Sequence, residues 1–149
     1  MEEWGVFSTG DASRATSLSR RQVLLLVEQG LIEPSLPSSG RGNARRFSYF
    51  DLVRCAIARD LGQHLGMAPR FVKHILSQLP DSKLRGGPNE TPGPIQIIVG
   101  DKGDTLVKMS SVEEEAMDGL AEAVKPTTTL AVDLNAVQQR LRRRLEEMH

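Results

Sequence analysis

Residues 7–34 have the sequence FSTGDASRATSLSRRQVLLLVEQGLIEP, which carries the signals of two short helices close together. Two pairs of residues have the spacing of a capping box, in which each of two residues three apart accepts, through a side-chain oxygen, a hydrogen bond from the backbone amide of the other. The pairs are Ser8 with Asp11, and Ser19 with Gln22. The first helix is predicted to end near Ala15. The second is predicted to begin at Arg20 and to end at Gly30, because glycine suits the left-handed residue that follows a helix.

Further helix signals follow on the C-terminal side. A third capping box begins at Ser48 and predicts a helix to about Gln63. Pro69 suits the first turn of a fourth helix, which should end before Pro80. Between the second and third helices, residues 35–47 are rich in turn formers and hold three arginines, which predicts a basic hairpin.

Residues 80–94 contain four prolines and three glycines and are predicted to be a linker that cannot continue a helix. The chain is therefore divided into an N-terminal domain at 1–79, this linker, and a C-terminal module at 95–149. The module is predicted to have the order ββαβα, with these elements: strands at 95–99, 105–109 and Thr127–Asp133, a helix from Ser111 to Lys125, and an amphipathic helix from Asn135 onward. The expected fold class is a mainly α N-terminal domain with a small α+β module.

The net charge of zero hides an uneven distribution. Residues 1–87 carry twelve Lys/Arg against eight Asp/Glu, whereas residues 88–149 carry seven against eleven. A basic part beside an acidic part is compatible with nucleic-acid binding by the first. One cysteine, an N-terminus without the features of a secretory signal, and no apolar run of membrane-spanning length favour a cytoplasmic, nucleoid-associated protein with no membrane partner.

Basic and amide side chains are concentrated at two places. A helix that enters the major groove does so N-terminus first, with its first turn towards the base edges. Arginine can pair with guanine and glutamine with adenine, and the first turn of the second helix provides Ser19, Arg20, Arg21 and Gln22. The predicted hairpin suits phosphates or the minor groove, and its candidate contacts are Arg41, Asn43, Arg45 and Arg46.

Several motifs in residues 7–79 resemble, in order and spacing, those of MerR-family regulators. They are Phe7-Ser8-Thr9-Gly10-Asp11, Ser19-Arg20-Arg21, the segment from Glu28 to Pro34, the segment from Arg45 to Leu52, and Leu65-Gly66-Met67. The resemblance implies a winged helix-turn-helix, with Arg21 and Arg45 as backbone or base contacts and a dimer on a two-fold symmetric promoter site. The sequence departs from the family where Leu25 and Leu26 replace recognition-helix aromatics, and where a long C-terminal dimerisation helix is missing.

Other residue groups suggest simpler roles. Cys55 lies at core spacing from Leu52 and is interpreted as a buried structural residue. Histidines 64 and 74 lack a third metal ligand, so no metal site is expected. The run Arg140 to Arg144 is interpreted as the solvated face of an amphipathic helix rather than as a second DNA contact. Asp101 and Asp104 suit a turn. No catalytic constellation is recognised, so neither an enzyme nor a cofactor is predicted.

These observations leave three hypotheses. The first is a sequence-specific regulator that binds double-stranded DNA as a homodimer, with a small-molecule or protein effector at the C-terminal module. The second is an architectural DNA-binding protein, such as an excisionase-like protein or a DNA-segregation adaptor. The third is a protein-interaction module without a DNA role.

Overall fold

A computed structural model describes residues 6–34, 46–85, 95–100, 105–109 and 126–148; at 98–100, 105, 106, 108, 109 and 126–129 only the backbone is described. The elements are helices α1 (Thr9–Thr16), α2 (Arg20–Glu28), α3 (Tyr49–Arg59), α4 (Pro69–Ser77), α5 (Asp81–Arg85) and α6 (Leu134–Glu147), and strands β1 (Ile95–Gly100), β2 (Thr105–Met109) and β3 (Pro126–Val132). The N-terminal part is mainly helical, and a small antiparallel sheet and α6 follow it. This order of helices and strands agrees with the predicted mainly α part and small α+β part.

Helices α1 and α2 begin where the capping boxes predict. The amide of Asp11 donates to Oγ of Ser8 at 3.1 Å, and the amide of Ser8 donates to the Asp11 carboxylate at 3.0 Å. Gly30 has a φ of +76°, which confirms the left-handed residue predicted after α2. These signals are local in sequence, so the fold of the rest of the chain does not alter them.

Helix α3 begins after the third predicted box, in which Ser48 and Asp51 exchange both hydrogen bonds. At its C-terminal end the helix changes to a π-helical turn, Asp60–His64. The predicted extent, from Ser48 to about Gln63, is therefore confirmed, although the last turn is wider than an α-helical one. Helix α4 begins at Pro69, as predicted, and ends at Ser77.

The segment predicted to be a linker begins with the short helix α5 instead. A proline cannot lie inside a helix without disrupting it, but a new helix can begin directly after a proline. The carbonyl of Pro80 accepts hydrogen bonds from the amides of Lys83 and Leu84 at 3.0 and 3.3 Å. Leu84 is fully buried, so packing stabilises this turn. The remaining predicted linker residues, 86–94, lie outside the described residues.

The sheet has the strand order β2-β1-β3, and both neighbours of β1 are antiparallel to it. Strands β1 and β2 match their predicted bounds closely, and β3 begins one residue earlier than expected. The predicted helix from Ser111 to Lys125 and the turn with Asp101 and Asp104 lie outside the described residues. The inward side chains of β1, Ile95 and Ile97, are completely buried.

One continuous hydrophobic core joins the two parts of the chain. Helix α6 packs against α1 and α3, and α4 packs against β2. The apolar stripe predicted for α6 is confirmed, since Val137, Leu141 and Leu145 are buried. Within the described part of the chain, no helix combines the length and apolar character needed to cross a bilayer.

Candidate nucleic-acid interface

The first turn of α2 presents basic side chains to solvent. Arg20, Arg21 and Gln22 are exposed, whereas Val23 is completely buried. The first turn contains no acidic residue. Among the described residues, neither arginine forms an ion pair. The positive end of the helix dipole and the positive charges of two arginines therefore lie at the same end of α2, which favours a negatively charged partner.

Gln22 closes the capping box of α2. Its amide oxygen accepts a hydrogen bond from the backbone of Ser19 at 2.8 Å, and its own backbone amide donates to Oγ of Ser19 at 3.1 Å. Pairing with adenine needs both the oxygen and the nitrogen of the carboxamide. In this conformation Gln22 therefore stabilises the start of the helix, and it would have to leave the cap to pair with a base.

Arg20 and Arg21 have different surroundings. The guanidinium of Arg20 lies against Gly10 of α1, so closely that a Cβ on Gly10 would be 2.6 Å from an Arg20 nitrogen. Sequence analysis did not anticipate this contact, because the two residues belong to different helices. Arg21 has no such neighbour described, and its exposed side chain is the more available of the two for a partner.

The turn between α1 and α2 is held by several hydrogen bonds. The hydroxyl of Ser13 donates to the carbonyl of Leu18 at 2.6 Å, and Arg59 of α3 donates to the carbonyl of Thr16 at 2.8 Å. Ser17 has a left-handed φ of +62°, which turns the chain sharply between the helices. Leu18 is buried. These contacts fix the direction of α2 relative to α1.

Three of the four predicted hairpin contacts, Arg41, Asn43 and Arg45, lie outside the described residues. Arg46 is described and half-buried. It precedes Phe47, whose backbone pairs with that of Phe7 through hydrogen bonds of 2.9 and 2.8 Å. Among the described residues, no hydrogen bond or ion pair joins Arg46 to the first turn of α2. Among the described residues, those of the predicted site that lie together are the ones in the first turn of α2.

A second group of cations, which was not predicted from the sequence, lies where α1 meets α6. Arg14 of α1 lies beside three arginines of α6, at positions 140, 143 and 144, around one surface depression. The run from Arg140 to Arg144 is visible in the sequence, but nothing there indicates that Arg14 joins it. Only the packing of α6 on α1 brings these residues together.

Cys55 is buried and free, as predicted. Burial raises the pKa of its thiol to about 12; the negative charge of Asp51 adds to this shift, and Arg54 opposes it. At Asp11 the pKa is lowered, first by the backbone hydrogen bond from Ser8, while desolvation opposes the shift. His64 lies 3.3 Å from Asp60. No cluster of three or more potential metal ligands occurs among the described residues.

Comparisons with known proteins add no family to these observations. A scan against protein-family models finds no match for this sequence. A search of curated proteins finds no significant match either.

Proposed function

We propose that the chain is a sequence-specific regulator that binds double-stranded DNA, with α2 in the major groove. The observation that carries this proposal is the exposed first turn of α2, which has two arginines and no acidic residue. The opposite face of the helix packs on the core through the buried Val23. A helix in the major groove needs this combination of a buried face, a fixed entry angle and a basic N-terminus.

The residues have different roles in this proposal. Arg21 contacts a base edge or a phosphate, because its side chain is exposed and unpaired among the described residues. The guanidinium of Arg20 lies against Gly10, so Arg20 is less available to DNA than Arg21. The predicted hairpin, as a wing with Arg41, Asn43, Arg45 and Arg46, would place its cations on the backbone or in the minor groove. This arrangement is that of a winged helix-turn-helix.

We further propose that the protein acts as a homodimer in the cytoplasm, with an effector bound at the C-terminal module. Two copies related by a two-fold axis would require an inverted repeat, whose half-sites are about 10 base pairs apart or a multiple of that. The mass of the protein in solution, with and without DNA, tests this point directly. A monomer that stays monomeric on its DNA site would contradict the dimer.

The proposal is tested by selecting fragments of the host genome at physiological salt with the wild type, Arg21→Ala and Arg45→Ala. We expect the wild type to recover an inverted repeat and Arg21→Ala to lose its sequence preference. Arg45→Ala should weaken binding to all sequences. It should also reduce, by about one unit, the slope of the logarithm of the binding constant against the logarithm of the salt concentration. Lys83→Ala is the matched control, because Lys83 is exposed on α5 and carries the same charge.

Other outcomes decide among the alternatives. Cooperative coverage of many sequences with little preference would favour an architectural DNA-binding protein. Binding that disappears at physiological salt would overturn both DNA-binding proposals and leave the protein-interaction module. Equal effects of Lys83→Ala and Arg21→Ala would show that α2 is not the contact surface.

A further inference from the structure

A depression of about 450 Å³ lies where α1 meets α6, and its lining is mostly cationic. The lining residues are Arg14, Arg140, Arg143, Arg144, Glu147 and Met148. Four guanidinium groups from two helices are thus placed around one surface feature. A site of this composition fits an anion with several oxygen atoms, since each arginine presents a planar fork of donors.

Two of the four arginines are paired with carboxylates. Arg14 bonds to Asp11 at 3.0 Å, and Arg140 lies 3.3 Å from Asp60. Asp60 also lies 3.4 Å from Arg59, so its negative charge is shared between two arginines. His64 lies 3.3 Å from the same carboxylate. The acidic groups near the depression, Asp11, Asp60 and Glu147, are therefore outnumbered by cations.

The other two arginines keep their charge available. Arg144 donates a hydrogen bond to the hydroxyl of Ser17, which is neutral. Arg143 is exposed and has no hydrogen bond or ion pair with any described residue. Clustered like charges that outnumber their counter-charges repel one another, and a bound anion would relieve that repulsion.

The depression is close to the N-terminus of α2. Ser17, which contacts Arg144, lies in the turn just before Ser19, the capping residue of α2. A chain segment of three residues spans at most about 11 Å, so the Cα of Arg20 lies within that distance of the Cα of Ser17. The major groove is about 12 Å wide, so a helix inside it lies close to the phosphates of both walls, and a cationic group beside the start of α2 is near one of them.

We propose that Arg143 and Arg144, supported by Arg14 and Arg140, bind a phosphate of the DNA strand that borders the groove entered by α2. This inference rests on the proposed function. It makes α6, which belongs to the C-terminal part of the chain, a direct contributor to DNA affinity. It also replaces the interpretation of the run from Arg140 to Arg144 as a solvated face alone.

The test measures affinity for a fluorescein-labelled duplex of roughly 40 base pairs, about four helical turns, between about 50 and 200 mM salt. Four full-length proteins are compared: the wild type, the double variant Arg143→Gln/Arg144→Gln, the double variant Arg143→Lys/Arg144→Lys, and the control Arg142→Gln. Arg142 is adjacent in sequence, but its guanidinium lies 5.7 Å from the ring centroid of Tyr49 and does not line the depression. Thermal melting by circular dichroism verifies that each variant is folded.

We expect the glutamine variant to bind roughly 5- to 30-fold more weakly near physiological salt and to lose about one to two units of salt slope, as for one or two lost phosphate contacts. The lysine variant should keep most of the slope, because it keeps the charge. Ethylation of individual phosphates should identify one phosphate whose modification weakens DNA binding by the wild type but not by the glutamine variant.

If the glutamine variant binds the duplex with the affinity and salt dependence of the wild type, the inference is overturned and the proposed function is left intact. The same loss in Arg142→Gln would also overturn it, since overall charge would then explain the effect. If the wild type binds no duplex at all, the proposed function fails and the inference fails with it.

Discussion

At the scale of single residues, Arg20 and Arg21 show why neighbours in a motif need not act alike. Their sequence positions differ by one, but Arg20 alone of the two lies against Gly10, where no side chain is in the way. Sequence analysis identified both as candidate contacts from residue type and position. It could not rank them, because the difference depends on a residue in another helix.

Cys55 leads to a residue-scale prediction about pH. Its pKa is raised to about 12 from an ordinary value near 9, so at pH 8 the native thiol is almost entirely protonated. We expect iodoacetamide to leave Cys55 unmodified in the native protein at pH 8 and to modify it fully in denaturant, as mass spectrometry can measure. Because the folded state disfavours the thiolate, the free energy of unfolding should fall as pH rises above about 9.

Rapid modification of the native protein at pH 8 would contradict this prediction. A Cys55→Ala protein serves as the reference for the pH dependence, since it lacks the titrating group. If its unfolding free energy falls equally over the same pH range, another group causes the loss of stability.

At the scale of elements, the helix starts were predictable from the sequence, whereas the π-helical turn after α3 and the short helix α5 were not. The capping boxes at Ser8, Ser19 and Ser48 join groups three residues apart, so they are visible in the sequence. The change to π-helical geometry at Asp60 and the formation of α5 occur where distant residues pack. Asp60 contacts Arg140, eighty residues away, and Leu84 is buried in the core.

Arg54 connects α3 to α5 and to the turn before α5, and it leads to a prediction at this scale. It lies 3.0 Å from the completely buried carboxylate of Asp51, 2.8 Å from Asp81 of α5, and 3.0 Å from the carbonyl of Leu79. We expect Arg54→Met to lower the free energy of unfolding by about 3 kcal/mol, because it removes a partner from a buried charge. Denaturation with urea, followed by circular dichroism, measures this change.

Asp81→Asn is the control for this prediction. It removes one ion pair of the same arginine, but the Asp81 side chain is 47% exposed. An exposed pair of this kind contributes less than about 1 kcal/mol. Similar losses in the two variants would show that burial of Asp51 does not determine the contribution of Arg54.

At the scale of the whole molecule, the secondary structure of each part was predicted better than the way in which the parts pack together. The strands, the final helix and its apolar stripe were predicted from periodicity, which is a property of each segment alone. The packing of α6 on α1 and α3 depends on shape and on pairs of distant residues, and sequence periodicity contains neither. The division into two domains stays a prediction, although the described core is continuous.

Gln138 provides a test of this continuity. Its side chain is buried, accepts a hydrogen bond from the Tyr49 hydroxyl at 3.0 Å, and donates one to the carbonyl of Leu84 at 2.9 Å. It therefore ties α6 to α3 and α5. We expect Gln138→Ala to lower the free energy of unfolding by roughly 2 kcal/mol, because the Tyr49 hydroxyl and the Leu84 carbonyl each lose a buried hydrogen bond. Urea unfolding should remain a single transition.

The neighbouring Gln139 provides a matched control, since it is exposed on the same helix. Gln139→Ala should change the unfolding free energy by less than about 0.5 kcal/mol. Two separate transitions in the wild type, or equal effects of the two substitutions, would argue that α6 does not stabilise the N-terminal helices.

The buried position of Gln138 also has a consequence for the order in which a ribosome completes the molecule. Gln138 follows Leu84 by 54 residues in the sequence. At elongation rates of roughly 5 to 20 residues per second, the nascent helices wait about 3 to 11 seconds before this glutamine is even synthesised. During that interval the Tyr49 hydroxyl and the Leu84 carbonyl have no Gln138 to bond, and the surface that α6 will cover is open. The N-terminal helices therefore gain these two hydrogen bonds only after the ribosome has synthesised α6.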